Sequence, residues 1–404
     1  MKVATTSTEQ PQVPIKLGSE LPKMFRRNIQ TYAIILALVF IWIFFAFMTD
    51  GNYLRPQNFS NLFRQMTVTA FLGIGMVLVI VTGNIDLSVG KLAGFVSVVV
   101  AYFQANIWTG IFPDQTILAA TLSVFIGLAV GALFGVIQGY IISILNVPSF
   151  IVTLGGMFIL NGAILLVTEG KTIPANQPAI SVIAQGYLSV PVGWILAALI
   201  VAYIFLSMFR GRQKKREHGF TLRNVYLDVG LSTFFALGVL VYVYLVNQYN
   251  GVQNPVLLLA VATVVMSYMA NNTRFGRYAY AIGGNREAAR LSGINIRNNI
   301  FMVFVLMGFL CGVAGVVLAS YVGYGTIAAG QGYELDAIAA AILGGTSTLG
   351  GVGTIWGALI GALIMSSLSN GLQLLNVAPS WQYLLKGIVL VLAVYADVTF
   401  KKRS

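Results

Sequence analysis

The sequence is short of nearly everything from which catalytic and metal centres are built. Its 404 residues include one cysteine, Cys311, and one histidine, His218. No internal disulfide can form, and no Cys/His cluster can hold a metal. Acids are scarce too, with twelve Asp and Glu in the whole chain. There is no Gly-x-x-x-x-Gly-Lys-Ser/Thr run. The nearest string, "GNIDLSVGKL" (83–92), has the wrong spacing and no hydroxyl residue after its lysine, which excludes an ATP site of the P-loop kind. No nucleophile–base pair stands out, so the residues offer no enzymatic centre and call for no cofactor. Only 9% of residues are charged, against roughly 25% in an average soluble domain. In their place stands hydrocarbon: 57% of the residues are hydrophobic.

A chain this apolar is solvated by lipid, and the expected fold is an all-α polytopic membrane protein of about 10–12 transmembrane helices. A span takes about 20 residues, with a range of about 17–25. Twelve apolar segments approach that length, near 30–49, 66–82, 89–107, 117–143, 150–168, 189–209, 225–246, 254–270, 299–320, 334–349, 352–369 and 382–398. The segments at 254–270 and 334–349 are short, which points to tilted, broken or re-entrant helices. The net charge of +12 sits in a few loops, as the positive-inside rule requires, rather than in a surface for nucleic acid. Residues 1–29 read as a polar cytoplasmic tail without a cleavable signal. A single transmembrane domain is expected over 30–398, with a basic loop at 210–224 and a second polar loop at 271–298. Both loops and the 399–404 terminus are rich in Arg or Lys, so they are placed in the cytoplasm of a multi-pass protein. The opposite loops hold only Arg55, Arg64 and Lys171.

One phrase is written twice. "LNVPSF" (145–150) follows "GALFG" (131–135), and "LNVAPSW" (375–381) follows "GALIG" (357–361). Counting spans puts the first copy on the cytoplasmic side and the second outside. Opposite placement of a repeated element is the sign of an inverted-topology repeat, in which two similar halves supply a gate for each face. "GNIDLSVGKLAGF" (83–95) and "GYELDAIAAAI" (332–342) form a further pair, each with an acidic-apolar patch opening an apolar segment.

Asp86 is the sharpest candidate residue, because acids at membrane depth are costly and usually functional. Gly83 and Gly90 flank it and would let the backbone break there. Asp86, with Asn84 beside it, would line a solute path or hold an interrupted helix. The alternative is a helix cap, the carboxylate accepting from the N–H of Ser88 or Val89. Glu334 and Asp336 pose the same choice in the other half. Gln138, Asn161 and Asn370 lie inside apolar segments, where they would meet a hydroxylated solute or bond between helices. The stretch "TRFGRYAYAIGGNREAARLSGINIR" (273–297) is too polar to span. Asn285 fits an N-cap, Glu287 a positive first turn and Gly293 a C′ stop, delimiting a short helix from Arg286 to Ser292 that presents Ala288, Ala289 and Leu291. Such a helix docks a partner on the cytoplasmic side or rests on anionic lipid.

"YAIGGNREAARLSGIN" (280–295) resembles the cytoplasmic loop signature of the permease subunits of bacterial sugar ABC importers, the ribose, galactose and xylose group. "GNIDLSVG" is similar to their Gly-x-x-Asp-Leu-Ser-x-Gly element. "VPSFIVTLGGM", "ELDAIAAAILGGTSTLGGVGT" and "WQYLLKG" resemble further segments of the group, in the same order, across about residues 55–400. The length points to the xylose-type permease, with two spans added near 189–246 to a core of ten. The resemblance implies an inner-membrane permease that imports a monosaccharide, xylose or a related pentose or hexose. It also implies a homodimer, a separate ATP-binding subunit that hydrolyses ATP, and an extracytoplasmic sugar-binding protein. By position it assigns Gly284, Asn285, Glu287, Ala288, Arg290, Leu291 and Gly293 to the contact with the ATPase, and Asp86 with its glycines to the pathway. Alternatives that stay open are a permease for another small polar solute, such as a branched-chain amino acid, and a secondary transporter or channel using Asp86 as its ion site.

Overall fold

The computed structural model describes residues 29–175, 177–220 and 224–401. The expected tail and the last three residues of the C-terminus lie outside them, as does Arg223. The helices are α1 Ile29–Met48, α2 Pro56–Val81, α3 Val89–Tyr102, α4 Thr116–Ser143, α5 Ser149–Thr168, α6 Pro178–Gln185, α7 Val190–Glu217 and α8 Val225–Asn247. They continue as α9 Asn254–Asn272, α10 Arg274–Gly284, α11 Arg286–Leu291, α12 Ile296–Val322, α13 Tyr333–Leu343, α14 Ile355–Leu374 and α15 Pro379–Lys401. A π turn and a short helical end carry α3 on to Ile111. Among the described residues ten helices are long and apolar enough to cross a membrane. Two-residue strands, β1 Ile173–Pro174 and β2 Tyr324–Gly325, pair antiparallel and tie the α5–α6 connection to the chain after α12.

The chain falls into two compact units. One holds Ile195–Tyr242, where Arg212 of α7 pairs with Asp228 of α8. The basic residues expected in a loop from 210 are largely the last turns of α7, which runs to Glu217. The other unit holds Ile34–Trp194 and residues 243–401. The division falls at the two spans that the sequence marks as additions.

Three features of the second unit sharpen the reading of its segments. The apolar segment at 334–349, expected to be tilted, broken or re-entrant, does not span: α13 has 11 residues, a rise of about 16 Å against a hydrocarbon core of about 30 Å. Gly344 and Gly345 stop it, and an irregular Gly/Thr-rich stretch leads to α14. The segment at 66–82 belongs to a longer helix, because α2 starts at Pro56 with proline in its first turn. Its first polar turns turn out to be helical. The connection after α5 contains α6, whose Ile180 and Ala184 are buried.

The two halves exchange partners. α2 packs on α12, α13 and α14, while α12 packs on α2, α3 and α4. Glycine makes the α4–α12 contact close. A Cβ on Gly135 would lie 2.5 Å from the Phe304 carbonyl and 3.0 Å from the Gly308 Cα, and one on Gly131 would lie 2.7 Å from the Gly312 Cα. Rising numbers on α4 meet falling numbers on α12, so the pair is antiparallel. Small residues at such seams let backbones approach and gain dispersion energy, which lipid does not undercut.

The repeated phrase is one turn built twice. Asn146 and Asn376 both sit at positive φ, 56° and 52°, a conformation that Asn tolerates better than most side chains. Each follows a helix end and turns the chain into the next helix. The Val147 N–H returns to the Ile141 carbonyl at 3.3 Å and the Val377 N–H to the Leu372 carbonyl at 3.0 Å. The copies lie at opposite ends of α2. Ser149, after the first, meets Ile85 just past the Val81 end, with its Oγ 3.5 Å from the Ile85 N–H. The second adjoins Asn370, which bonds Asn58 near the Pro56 end.

Candidate functional site

At the Val81 end, α2 stops and the chain runs without helix from Thr82 to Ser88. Gly83 takes φ 78°, the turn the sequence asks of it. Asp86 is buried, and its Oδ1 accepts from the Ser88 N–H at 2.8 Å and from the Ser88 hydroxyl at 2.6 Å. Gln138 of α4 donates to the Ser88 Oγ at 2.9 Å. The geometry is that of a local Asx-type cap on the turn leading into α3, made to the Ser88 N–H rather than to the helix's own first N–H groups, with Gln138 locking it from a neighbouring helix. Asn84 bonds locally to the Thr82 hydroxyl at 3.0 Å. Gly90 does not break the chain. It is inside α3, where a Cβ would lie 2.6 Å from the Gly330 carbonyl and 2.8 Å from the Glu334 N–H. The starts of α3 and α13, corresponding elements of the two halves, therefore touch.

Glu334 and Asp336 occupy the first turn of α13, where the unsatisfied N–H groups favour negative charge. The cation beside Glu334 is Lys91 of α3. Asp336 is buried and pairs with Lys386 of α15, Oδ2 to Nζ at 2.7 Å. Glu334 Oε2 and Asp336 Oδ1 are buried with no hydrogen-bond partner among the described residues. Four charges from three helices thus meet around the start of a half-length helix. Lys91 and Lys386 are absent from the sequence-level candidates; each is a single charge inside an apolar run, which is itself the signal.

The remaining pathway candidates separate. Asn161 is half-buried on α5, away from the Asp86 cap. Asn370 lies toward the opposite end, where it exchanges two amide bonds with Asn58, at 2.9 and 3.1 Å. Gln65 accepts from Asn370 and donates to Gln373, both at 3.4 Å. Arg64, expected in a loop, is on α2; its guanidinium lies 4.9 Å above the Tyr187 ring and bonds the Tyr187 hydroxyl.

The polar stretch after α9 folds as two helices rather than one. α10 buries Gly276, Ala279 and Ile282 and packs Phe275 and Tyr280 against the core. At Gly283 a Cβ would collide with the Val81 carbonyl. The same carbonyl accepts from the Gly351 N–H at 2.9 Å, and the Tyr280 hydroxyl donates to the Gly353 carbonyl at 2.8 Å. α11 has the expected caps: the Asn285 Oδ1 accepts from the Ala288 N–H at 3.0 Å, and Gly293 takes φ 79°. The helix ends at Leu291, with Ser292 as its C-cap. Glu287 and Arg290 pair at 3.1 Å. Ala289 is turned inward and buried, so the presented face is Ala288 with Leu291, the latter 79% exposed.

The family profile described as branched-chain amino acid transport system / permease component matches residues 58–394. The xylose transport system permease protein of Escherichia coli (strain K12) is 42% identical over 377 residues, 93% of this chain and 94% of that protein. The ribose import permease protein of the same strain is 35% identical, covering 86% and 87%. The galactose/methyl galactoside import permease protein is 33% identical, covering 91% and 92%. No solved structure matches the chain.

Proposed function

The chain belongs to the branched-chain amino acid transport system / permease component family, and from that premise we propose that it is the membrane permease subunit of an ATP-driven importer of a monosaccharide, D-xylose or a related pentose or hexose. The family description names amino acids, but the relatives that align along nearly the whole chain are named for xylose, ribose and galactose. The observation that carries the mechanism is the placement of α11. It is capped at both ends, presents Ala288 and Leu291, and continues from α10, which is pressed onto the Val81 carbonyl. Five residues beyond Val81 lies Asp86, and the Gly351 N–H shares the Val81 carbonyl. Force on α11 from an ATP-binding subunit therefore reaches the broken segment 82–88 and the 344–354 connection together. Gly284, Asn285, Glu287, Arg290 and Gly293 shape and cap that element.

In this reading the Val81 end faces the cytoplasm and the Pro56 end faces outward, toward a soluble binding protein that delivers the sugar. The working unit is a permease homodimer in the inner membrane with both termini inside. Asp86 and Gln138 serve as the scaffold of the pathway, and Glu334 and Asp336 hold the start of α13. An ion-gradient mechanism fits less well, because α11 would then present a capped cytoplasmic surface with no partner to dock.

Reconstitution tests the proposal. Proteoliposomes holding the permease with its ATP-binding subunit are expected to accumulate labelled D-xylose only with internal ATP and external binding protein. Uptake driven by a proton gradient without either would sink it. Uptake of L-leucine in place of xylose would keep the importer and change its substrate.

A further inference from the structure

A pocket of about 500 Å³ opens at the Pro56 end of α2, within the ~300–1,000 Å³ range of small-molecule clefts. Its walls are the turn joining α1 to α2, the first turns of α2, and Leu374 and Leu375 at the end of α14. The turn has a defined form, with Asp50 and Gly51 at φ 49° and 78° and the Gly51 N–H bonded to the Ala46 carbonyl at 2.8 Å. The polar lining is mostly carboxamides, Asn52, Gln57, Asn58 and Asn61, together with Thr49, Asp50 and Arg55.

Behind the pocket the amides continue along the seam between α2 and α14. Asn58 pairs reciprocally with Asn370, Asn370 reaches Gln65, and Gln65 reaches Gln373. Residues 58, 61 and 65 share one face of α2 by their three- and four-residue spacing. A carboxamide is both donor and acceptor, and so is a hydroxyl. A polyol can replace an amide–amide bond by amide–hydroxyl bonds and leave no buried polar atom unpaired, which is the costly alternative. The leucine wall suits the C–H face of a ring.

We propose that this pocket is a receiving site for an aldose in its pyranose form, carried by the permease itself. The carboxamides read the hydroxyl rim, and the Asn58–Asn370–Gln65 ladder offers the next bonds along the α2–α14 seam. The inference rests on the sugar-permease reading and on its outward placement of the Pro56 end. A zwitterionic amino acid held between Asp50 and Arg55 is the competing occupant.

The test uses the complex of permease and ATP-binding subunit in nanodiscs, without binding protein, and tritiated D-xylose as probe. Saturable binding is expected, displaced by unlabelled D-xylose and not by L-leucine. Gln57→Leu and Asn61→Leu, each removing one hydroxyl-reading amide, should each raise Kd about fivefold or more, the loss of one neutral hydrogen bond. Thermal melting checks that both variants fold. Gln57 is exposed and packs little, so it keeps the test open if Asn61→Leu is unstable. Absence of saturable binding in a complex that still imports D-xylose with its binding protein overturns the pocket and leaves the sugar permease standing. Affinities within twofold of wild type in both folded variants overturn it equally. Displacement by L-leucine, with leucine and not xylose imported, overturns both readings.

Discussion

Among the described residues Asp86 is held by Ser88 alone, through two short bonds to one oxygen. Asp86→Asn keeps an acceptor at that place and is expected to retain most uptake. Asp86→Ala leaves the buried Ser88 N–H and hydroxyl without it, a loss of about 1–3 kcal/mol, and should lower both melting temperature and uptake. If Asn is as damaging as Ala while the protein stays folded, the charge itself is needed and the cap is not the whole role. The Asp336–Lys386 pair makes a sharper case, because both side chains are largely shielded. Lys386→Met alone strands a buried carboxylate and should cost about 3–5 kcal/mol. The double variant Lys386→Met with Asp336→Leu removes both charges and should recover much of that stability. A denaturant titration in detergent reads both, and a double variant no better than the single would show that the pair is not what stabilises α13.

At the scale of elements, α11 offers a test that separates a partner surface from a lipid-resting one. Ala288 is exposed, so Ala288→Trp should fold and insert normally. Against a packed partner the added bulk costs about 1–3 kcal/mol, roughly a 5- to 150-fold loss in association. The expected result is a permease in the membrane that retains little ATP-binding subunit on purification; full retention would assign the helix to the lipid surface. The caps of α11 were legible in the sequence because Asn, Glu and Gly act locally, within one turn. α10 was not, although Phe275, Gly276, Ala279 and Ile282 recur at helical spacing: its arginines and tyrosines read as a polar loop, and its close approach to Val81 belongs to the tertiary structure alone. The first turns of α2 were missed for a related reason. Asn58, Asn61 and Gln65 depress hydropathy as a loop would, and only the facing amides of α14 reveal them as a helix seam. The glycines of α4 and α12 were visible as small residues, whereas their antiparallel register belongs to the tertiary contact alone.

On the scale of the whole chain, the twin turns at Asn146 and Asn376 should sit on opposite sides of the membrane. In a Cys311→Ala background, a membrane-impermeant thiol reagent applied from outside is expected to label Asn376→Cys and to spare Asn146→Cys. Labelling of both from one side would end the inverted-repeat reading. The exchange of partners between the halves also bears on how the protein is made. α2 is almost fully enclosed, yet much of what encloses it, α13 and α14, comes later in the chain. The last of those partners ends about 290 residues after Val81, roughly 15–60 s of synthesis at about 5–20 residues per second. Through that interval a helix bearing Asn58, Arg64 and Gln65 has no finished seam to lie in. A chain stopped after α12 is therefore expected to insert and then be degraded, since its first half cannot complete its own core. Assembly of this permease is a wait for its second half, and the polar face of α2 is what has to be kept from lipid until it arrives.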